Sequence, residues 1–408
     1  MQERRRALHP RPGCASLLRA GTIAAPVPLL HILRWVPAAV AAASIAYCLV
    51  ATVAGIRFAR RRDEAPHGNE LPPVSILKPL KGADPEIYAA LRSHCVKDYP
   101  DYEILCGVTS EDDPAVPVVK KLMGEFPGGK IRLVLCDKRL GANGKVSSLI
   151  QLAAAARFEY LLVNDSDIRA EPDYLRTVMG ELQQPNIGMV TCLYRGVPSP
   201  GFGSHVEALS IATDFTPGVL AADILEGGIH FGLGSTLAFR KRDLEKIGGF
   251  EAIVDYLADD YELGARIAKA GLKVRLSRSV VETHLPAYDL AGFASHQLRW
   301  ARTIRASRPG GYAGLPLTFT LPWAVAALLC AQAAVWSWWL FGAAVVARGA
   351  MALVTASLVL RERNLVSLLL VPVRDFIAAI VWLGGLAGGK IVWRGEEFLL
   401  EDGKLKRK

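Results

Sequence analysis

Two aspartates stand directly after a short apolar segment and could bind a metal ion together. Leu161–Val163 runs into the sequence N-D-S-D, which contains Asp165 and Asp167. If the apolar segment is a buried strand, both carboxylates lie at the sheet edge where α/β proteins bind ligands. Mg²⁺ and Mn²⁺ are held by such carboxylates together with substrate phosphates. The alternative interpretation is that the two aspartates only cap a helix beginning near Pro172, and the short pattern leaves both open.

Two further acidic pairs precede predicted helices. Asp112 and Asp113 come before Pro114, which is also an ordinary helix start. Asp259 and Asp260 open a second helical pattern, in which Asp259 could be a simple N-cap. A carboxylate held at a helix N-terminus beside a cleft could equally act as a general base.

A basic and aromatic group lies in a helical pattern just before a long apolar region. The sequence H-Q-L-R-W contains His296, Arg299 and Trp300. Arginine suits phosphate recognition, and tryptophan offers a flat surface for stacking. Further arginines follow at three-residue steps, as is typical of a basic helix lying on a membrane surface. The two interpretations are compatible.

The elements that would position these residues form an alternating pattern. The predicted strands are Val74–Leu77, Glu103–Val108, Ile131–Cys136 and Tyr160–Val163. Helical patterns lie between them at 84–96, 114–126 and 144–157. Alternation of this kind predicts an α/β fold with a parallel sheet covered on both faces. The G-x-G-x-x-G and G-x-x-x-x-G-K-[ST] nucleotide motifs are absent from the sequence.

Apolar segments flank this region and predict membrane helices. Residues 35–56 carry no charge and form a segment long enough for one membrane span. Residues 309–347 are also uncharged. We expect helices at 316–338, 341–360 and 365–387. The last contains Arg374 and Asp375, which should pair, face protein, or mark an interfacial helix rather than a spanning one. The sequence therefore divides into a basic tail (1–34), an anchor (35–56), a linker (57–73), an α/β domain (74–308), a membrane region (309–390) and a C-terminal tail (391–408).

Charge and cysteine content exclude two other classes of protein. The net charge of +9 over 408 residues arises outside the central domain, because residues 63–308 hold 28 basic and 32 acidic side chains. That domain therefore lacks the basic surface of a nucleic-acid-binding protein. The seven cysteines form no C-x-x-C pair and are odd in number, which argues against a disulfide scaffold or a structural zinc site.

Taken together, the motifs resemble the membrane-bound family 2-like glycosyltransferases with a GT-A fold. Within that group the chain looks most like the ceramide glucosyltransferases and the bacterial glycosyltransferases associated with hopanoid biosynthesis. The segments that carry the resemblance are V-S-I-L-K-P-L-K-G (74–82), D-Y-P-D-Y-E-I-L (98–105), E-D-D-P-A (111–115), N-D-S-D-I-R (164–169), A-D-D-Y (258–261) and L-R-W (298–300).

The resemblance implies roles for these residues. Asp260 would be the catalytic base, and Asp165 with Asp167 would hold a divalent cation, Mg²⁺ or Mn²⁺. The residues implied in binding the nucleotide-sugar are Lys78, Asp112, Asp113, Lys145, Asp165, His296, Arg299 and Trp300. Two positions depart from the family pattern. Ser110 replaces a usual aspartate, so either Asp112 or Asp113 supplies that acid or the contacts with the nucleotide differ. His296 replaces a usual glutamine or arginine.

The implied activity is transfer of a hexose, glucose or N-acetylglucosamine, from a UDP-sugar to the hydroxyl of a membrane lipid, ceramide or hopanoid. A single base without a nucleophile implies inversion at the sugar. We expect a multi-pass protein of the plasma membrane with its catalytic domain in the cytosol, where UDP-sugars are found. The alternatives are a processive polysaccharide synthase and a non-catalytic membrane scaffold or transporter subunit. The sequence leaves the oligomeric state open.

Overall fold

A computed structural model describes residues 35–61, 71–84, 86–393 and 396–407. The predicted basic tail, 1–34, and most of the predicted linker lie outside the described residues. The helices are α1 (Trp35–Ala59), α2 (Ile87–Cys95), α3 (Ala115–Glu125), α4 (Gly144–Ala155), α5 (Tyr174–Leu182), α6 (Phe202–Ser210), α7 (Thr216–Leu225), α8 (Lys241–Lys246), α9 (Asp259–Lys269), α10 (Leu290–Ser307), α11 (Pro309–Gly314), α12 (Thr320–Cys330), α13 (Val335–Val354) and α14 (Val371–Leu386). The strands are β1 (Val74–Pro79), β2 (Tyr102–Val108), β3 (Ile131–Leu135), β4 (Tyr160–Val163), β5 (Ile168–Arg169), β6 (Ile187–Val197), β7 (Leu237–Arg240), β8 (Lys273–His284), β9 (Lys390–Trp393), β10 (Glu396–Glu401) and β11 (Lys404–Arg407).

Eight strands form one sheet in the order β3-β2-β1-β4-β7-β6-β8-β5. The first four are parallel to one another, and every residue of β1 and β2 is buried. Strand β7 is antiparallel to both β4 and β6, so the sheet is mixed and not wholly parallel as expected from the sequence. Because β7 begins beside the end of β4, the residues before β7 lie at the same edge as those after β4.

The four predicted strands are confirmed to within a few residues at each end, as are the helices between them. Their apolar faces form two cores on the two sides of the sheet. The sequence did not indicate the helix pair α6 and α7, which a π-helical turn at Ile211–Phe215 joins into one continuous apolar rod.

The described residues contain four helical segments long and apolar enough to cross a membrane. They are Trp35–Ala59, Phe202–Leu225, Val335–Val359 and Val366–Leu386. The expected single helix at 316–338 is wrong, because α11 and the 3₁₀ turn after it meet α12 at a bend of 58°. A second break separates α12 from α13, where Gln332 and Ala333 adopt left-handed backbone angles.

The charged side chains within the apolar helices are paired with one another. Arg348 is 1% exposed, and its guanidinium donates to Asp375 at 2.6 Å and to Asp214 at 2.8 Å. Arg374 lies 3.1 Å from the second oxygen of Asp214 and donates to Gln297 of α10 at 3.1 Å. The expectation that Arg374 and Asp375 pair within the protein is confirmed, and the pairs fix α13 and α14 against the rod formed by α6 and α7.

The segment expected to be a C-terminal tail is folded. Strands β9, β10 and β11 form an antiparallel sheet in the order β11-β10-β9. The sheet packs on the α/β domain through an apolar cluster of Leu257, Ile391, Phe398 and Leu405. The residues from Lys390 onward therefore belong to the structured part of the chain.

Candidate active site

A cavity of about 860 Å³ lies between the carboxyl ends of the parallel strands and the apolar helices. One end is lined by the aspartates that follow β4 and begin α9. The other end is lined mainly by apolar and aromatic side chains, including Tyr47 of α1, Val219 of α7 and Trp382 of α14, and the ion-paired Asp214, Arg374 and Asp375 also line the cavity. A single cavity thus has a charged end and a largely apolar end.

Lys145 joins two of the acidic groups at the charged end. Its ammonium lies 2.7 Å from Asp165 Oδ1 and 3.1 Å from Asp259 Oδ2. Asn143 caps the start of α4 by accepting from the backbone N–H of Val146, which places Lys145 in the first turn of the helix. Although burial opposes it, the two carboxylates raise the pKa of Lys145 above its ordinary value. Asp165 and Asp259 are thus both paired with Lys145. Asp259 is the first residue of α9, after Ala258, and is not the N-cap of that helix.

Asp260 is fixed by backbone donors on both of its oxygens. Oδ2 accepts from the N–H of Gly234 at 2.8 Å, and Oδ1 accepts from the N–H of Tyr261 at 2.8 Å. Burial, reinforced by the negative charge of Asp259, raises the pKa of Asp260 to about 6. A carboxylate with a pKa just below neutrality is suited to accept a proton at physiological pH.

Gly234 brings Asp260 close to Asp165. A Cβ at position 234 would lie 2.8 Å from Asp165 Oδ2 and 3.4 Å from Asp260 Oδ2, so both oxygens face the glycine. A side chain there would fill the space between the two carboxylates.

Asp167, which also lies in the loop after β4 and lines the cavity, is bound to strand β8. Its Oδ2 accepts from the hydroxyl of Thr283, which lies on β8. Burial, aided by the charge of Asp165, raises the pKa of Asp167 to about 6. Neither Asp165 nor Asp167 caps α5, which begins at Tyr174, so the helix-capping interpretation is wrong.

The donor chemistry of this end fits a hard divalent cation. Asp84, Asp165, Asp167 and Asp260 all line the cavity with carboxylate oxygens. In the described part of the chain, no three His, Cys, Asp or Glu side chains already converge as a set of metal ligands. A cation held by one or two of these aspartates would take its other ligands from diphosphate oxygens, which is the arrangement that Mg²⁺ prefers.

The helix α10 brings His296, Arg299 and Trp300 to the same cavity. The His296 ring stacks on Tyr288 at 5.3 Å between centroids and lies 5.4 Å from the Trp300 ring. Its Nδ1 is 3.3 Å from a carboxylate oxygen of Glu207, which is buried on α6. His296 therefore packs into a wall of aromatic side chains with a carboxylate behind it.

The remaining candidates lie behind or away from the cavity wall. Lys78 is fully buried and donates to the backbone carbonyl of Asp165 at 3.0 Å, and burial lowers its pKa to about 8. Asp113 accepts from the backbone N–H groups of Gly82, at 3.0 Å, and Ala115, at 2.9 Å, which confirms its role at a helix start. Asp112 is exposed outside the cavity lining. Their roles in binding a nucleotide-sugar remain predictions.

Sequence reasoning missed three residues of this site. Asp84 follows β1, and its position after a predicted strand is a signal that could have found it. Gly234 precedes β7, which alternation alone did not predict. Glu207 lies on the unpredicted helix α6, and its carboxylate also accepts from Gln297 at 2.7 Å.

The mixed sheet, with carboxylates at the ends of its parallel strands, defines the GT-A-like class of glycosyltransferase. A similar fold is found in the mannosyltransferase PcManGT from Pyrobaculum calidifontis, solved in complex with GDP-Man and Mn²⁺, with a TM-score of 0.52. The two share 20% sequence identity, and the match covers 87% of this chain and 97% of that one.

The chain belongs to Glycosyl transferase family 21, whose model matches residues 36–406. It is 28% identical to ceramide glucosyltransferase 3 of Caenorhabditis elegans over 242 residues, which are 59% of this chain and 52% of that protein. It is 32% identical to the ceramide glucosyltransferase of Komagataella phaffii (strain GS115 / ATCC 20864) over 112 residues, 26% of this chain and 22% of that protein. The chain spans about half the length of the first of these relatives. The resemblance to the ceramide glucosyltransferases is confirmed.

Proposed function

We propose that this chain is an inverting glycosyltransferase that moves a hexose from a UDP-sugar to the hydroxyl of a membrane lipid. The observation that carries the proposal is the cavity with two ends: carboxylates and Lys145 at one, apolar helices at the other. A nucleotide diphosphate suits the charged end, and a lipid suits the apolar end. Ceramide is the favoured acceptor because the curated relatives are ceramide glucosyltransferases, and a hopanoid is the alternative.

The protein groups divide the chemistry between them. Asp260 accepts the proton of the acceptor hydroxyl, because its raised pKa and its fixed oxygens suit a base. Lys145 stabilises the neighbouring carboxylates, and Arg299 provides a positive charge for the departing diphosphate. Trp300 and His296 form an aromatic wall against which a sugar or acceptor can pack.

Asp165 and Asp167 are the proposed holders of Mg²⁺ or Mn²⁺. A bound cation would neutralise negative charge on the leaving diphosphate. Lys78 binds the loop after β4 and Asp113 binds the loop after β1, whereas Asp112 is exposed beside Asp113. All three are proposed contributors to donor binding. In the cell we place the chain in the plasma membrane, with the α/β domain in the cytosol where UDP-sugars are available.

The paired membrane charges bear on the transporter alternative. Arg374 and Asp375 are the sequence features that favoured transport, and both are engaged in ion pairs with Asp214 and Arg348. Their burial therefore has a structural explanation that needs no transport path.

The test uses the purified full chain with labelled UDP-glucose or UDP-N-acetylglucosamine and vesicles containing ceramide. We expect labelled glycolipid from the wild type and a loss of about 10²- to 10⁴-fold in turnover for Asp260→Asn. Glu262→Gln makes the same chemical change two residues further along α9 and should remain active. Equal turnover of Asp260→Asn and wild type would refute the assignment of the base, and no transfer by the wild type to any lipid would refute the proposed function.

A further inference from the structure

The C-terminal sheet extends to the residues that precede the catalytic helix α9. The backbone N–H of Leu257 donates to the carbonyl of Gly403 at 3.1 Å, and that of Leu405 donates to the carbonyl of Asp255 at 2.7 Å. These two bonds pair residues 255–257 with 403–405 in an antiparallel β-bridge between Tyr256 and Lys404. Asp260, the proposed base, is three residues beyond this pairing.

Apolar packing reinforces the backbone pairing. Leu257, Ile391, Phe398 and Leu405 are each at most 7% exposed and form one cluster. Burial of these apolar side chains stabilises the contact between the C-terminal sheet and Leu257. Residues 255–257, which lead to Asp260, are thus bound to the C-terminal sheet through both main chain and side chains.

The same segment supports the loop that carries Lys145. The carboxylate of Asp255 accepts from the backbone N–H of Ala142 at 2.8 Å. The side-chain amide of Asn143, which caps α4, donates to the carbonyl of Tyr256 at 2.8 Å. A shift of residues 255–257 would therefore move Lys145 and Asp260 together.

The other side of the C-terminal sheet is tied to helix α10. Arg302 donates to the carbonyl of Lys390, the first residue of the sheet, at 2.7 Å. Arg305 donates to the carbonyls of Gly385, at 2.7 Å, and Leu386 at the end of α14, and to the carbonyl of Gly388 in the turn that leads into the sheet. Arg299 lies on the same helix, one turn before Arg302.

We propose that the C-terminal sheet sets the spacing between the two halves of the active site. It links residues 255–257, which lead to Asp260, to helix α10, which carries Arg299. Leu405 is the central positioning residue. The proposal rests on the proposed function, because it assigns to these two residues the base and the phosphate partner. Leu405 itself touches neither, and it acts through the backbone of residues 255–257.

The test compares Leu405→Ala with Leu399→Ala, the same truncation on β10 at a side chain that is 36% exposed. In the full-length enzyme, Leu405→Ala should lower kcat about 10- to 100-fold with the KM for donor changed less than about twofold, since misplacement of a base affects the chemical step. Leu399→Ala should leave both constants unchanged. Leu405→Met, which refills the cluster, should restore most of kcat.

Hydrogen exchange of the amides at 255–261 gives a readout independent of turnover. We expect faster exchange there in Leu405→Ala than in Leu399→Ala. If Leu405→Ala does not fold, Arg305→Lys loosens the other attachment while keeping the charge, and should show the same separation of kcat from KM. An active wild type with unchanged kcat in Leu405→Ala and Arg305→Lys would overturn the positioning role, whereas an inactive wild type would overturn the proposed function instead.

Discussion

Replacing Lys145 by methionine should both destabilise the chain and shift its pH dependence. The ammonium sits 2.7 Å from Asp165 and 3.1 Å from Asp259. Two opposite charges 3 Å apart attract by about 5 kcal/mol at an effective dielectric constant near 20, before desolvation is subtracted. The Asp165 side chain is 40% exposed and its pair is screened, so the buried Asp259 carries most of the effect. Loss of one partner of a buried pair costs about 3–5 kcal/mol, and we expect the lower value, about 3 kcal/mol.

The pH effect follows from the sign of the interaction with Asp260. The positive charge of Lys145 lowers the pKa of Asp260, which burial otherwise raises, so the substitution should raise that pKa above about 6. Because the base must be deprotonated, the acid limb of kcat/KM should move to higher pH. The loss of folding stability in Lys145→Met should also grow as pH rises through the pKa of Asp260. When the pKa of an acid is raised in the folded state, ionisation of that acid lowers the stability of the fold.

Thermal unfolding in detergent and kcat/KM between pH 5 and 9 measure both effects. Lys138→Met makes the same chemical change at an exposed position of the loop before α4 and serves as the matched control. An acid limb and a melting temperature in Lys145→Met that match those of Lys138→Met would refute the electrostatic reasoning for this site.

Three further predictions concern the cation, the loop after β2 and the membrane charges. Exhaustive chelation should abolish transfer, and added Mn²⁺ or Mg²⁺ should restore it; full activity after chelation would exclude a cation requirement. In calorimetry of UDP binding, Asp113→Ala should weaken the binding free energy by about 1.5–3 kcal/mol, because the backbone N–H of Gly82 loses its carboxylate acceptor. Ser110→Ala should weaken it by less than about 1.5 kcal/mol. Asp375→Asn should lower folding stability by about 3 kcal/mol or more, because it leaves Arg348 partly unpaired among the apolar helices. Asp98→Asn, in an exposed ion pair, should lower it by less than about 1 kcal/mol. Equal melting temperatures of the two variants would contradict this prediction.

The parallel half of the sheet could be predicted because its signals are local. Apolar runs such as Leu161–Val163 end at polar residues, and helical patterns fill the intervals between them. The same logic placed Asp165 and Asp167 at the edge of the sheet. Lys145 was identified by resemblance alone, because its contact with Asp259 depends on the meeting of α4 with α9, which are distant in sequence.

The parts that could not be predicted depend on contacts distant in sequence. The C-terminal sheet is short, and its pairing with residues 255–257 appears only when the chain is folded. Helix α6 joins α7 through a π-helical turn and carries Glu207, whose partners lie about 90 residues further along the chain. The break between α12 and α13 lies at two left-handed residues, Gln332 and Ala333, within a long uncharged sequence that gives no local sign of a break.

Mass spectrometry of cellular lipids tests the central claim most directly. Cells that lack the chain would be complemented with the wild type or with Asp260→Asn, at matched protein levels in the membrane fraction. We predict a glycolipid heavier than its acceptor by one hexose, or one N-acetylhexosamine, in cells with the wild type and absent from cells with Asp260→Asn. Lipid profiles that are identical in cells complemented with the wild type and in cells that lack the chain, with the wild-type protein present in the membrane, would contradict the assignment of this chain as a lipid glycosyltransferase.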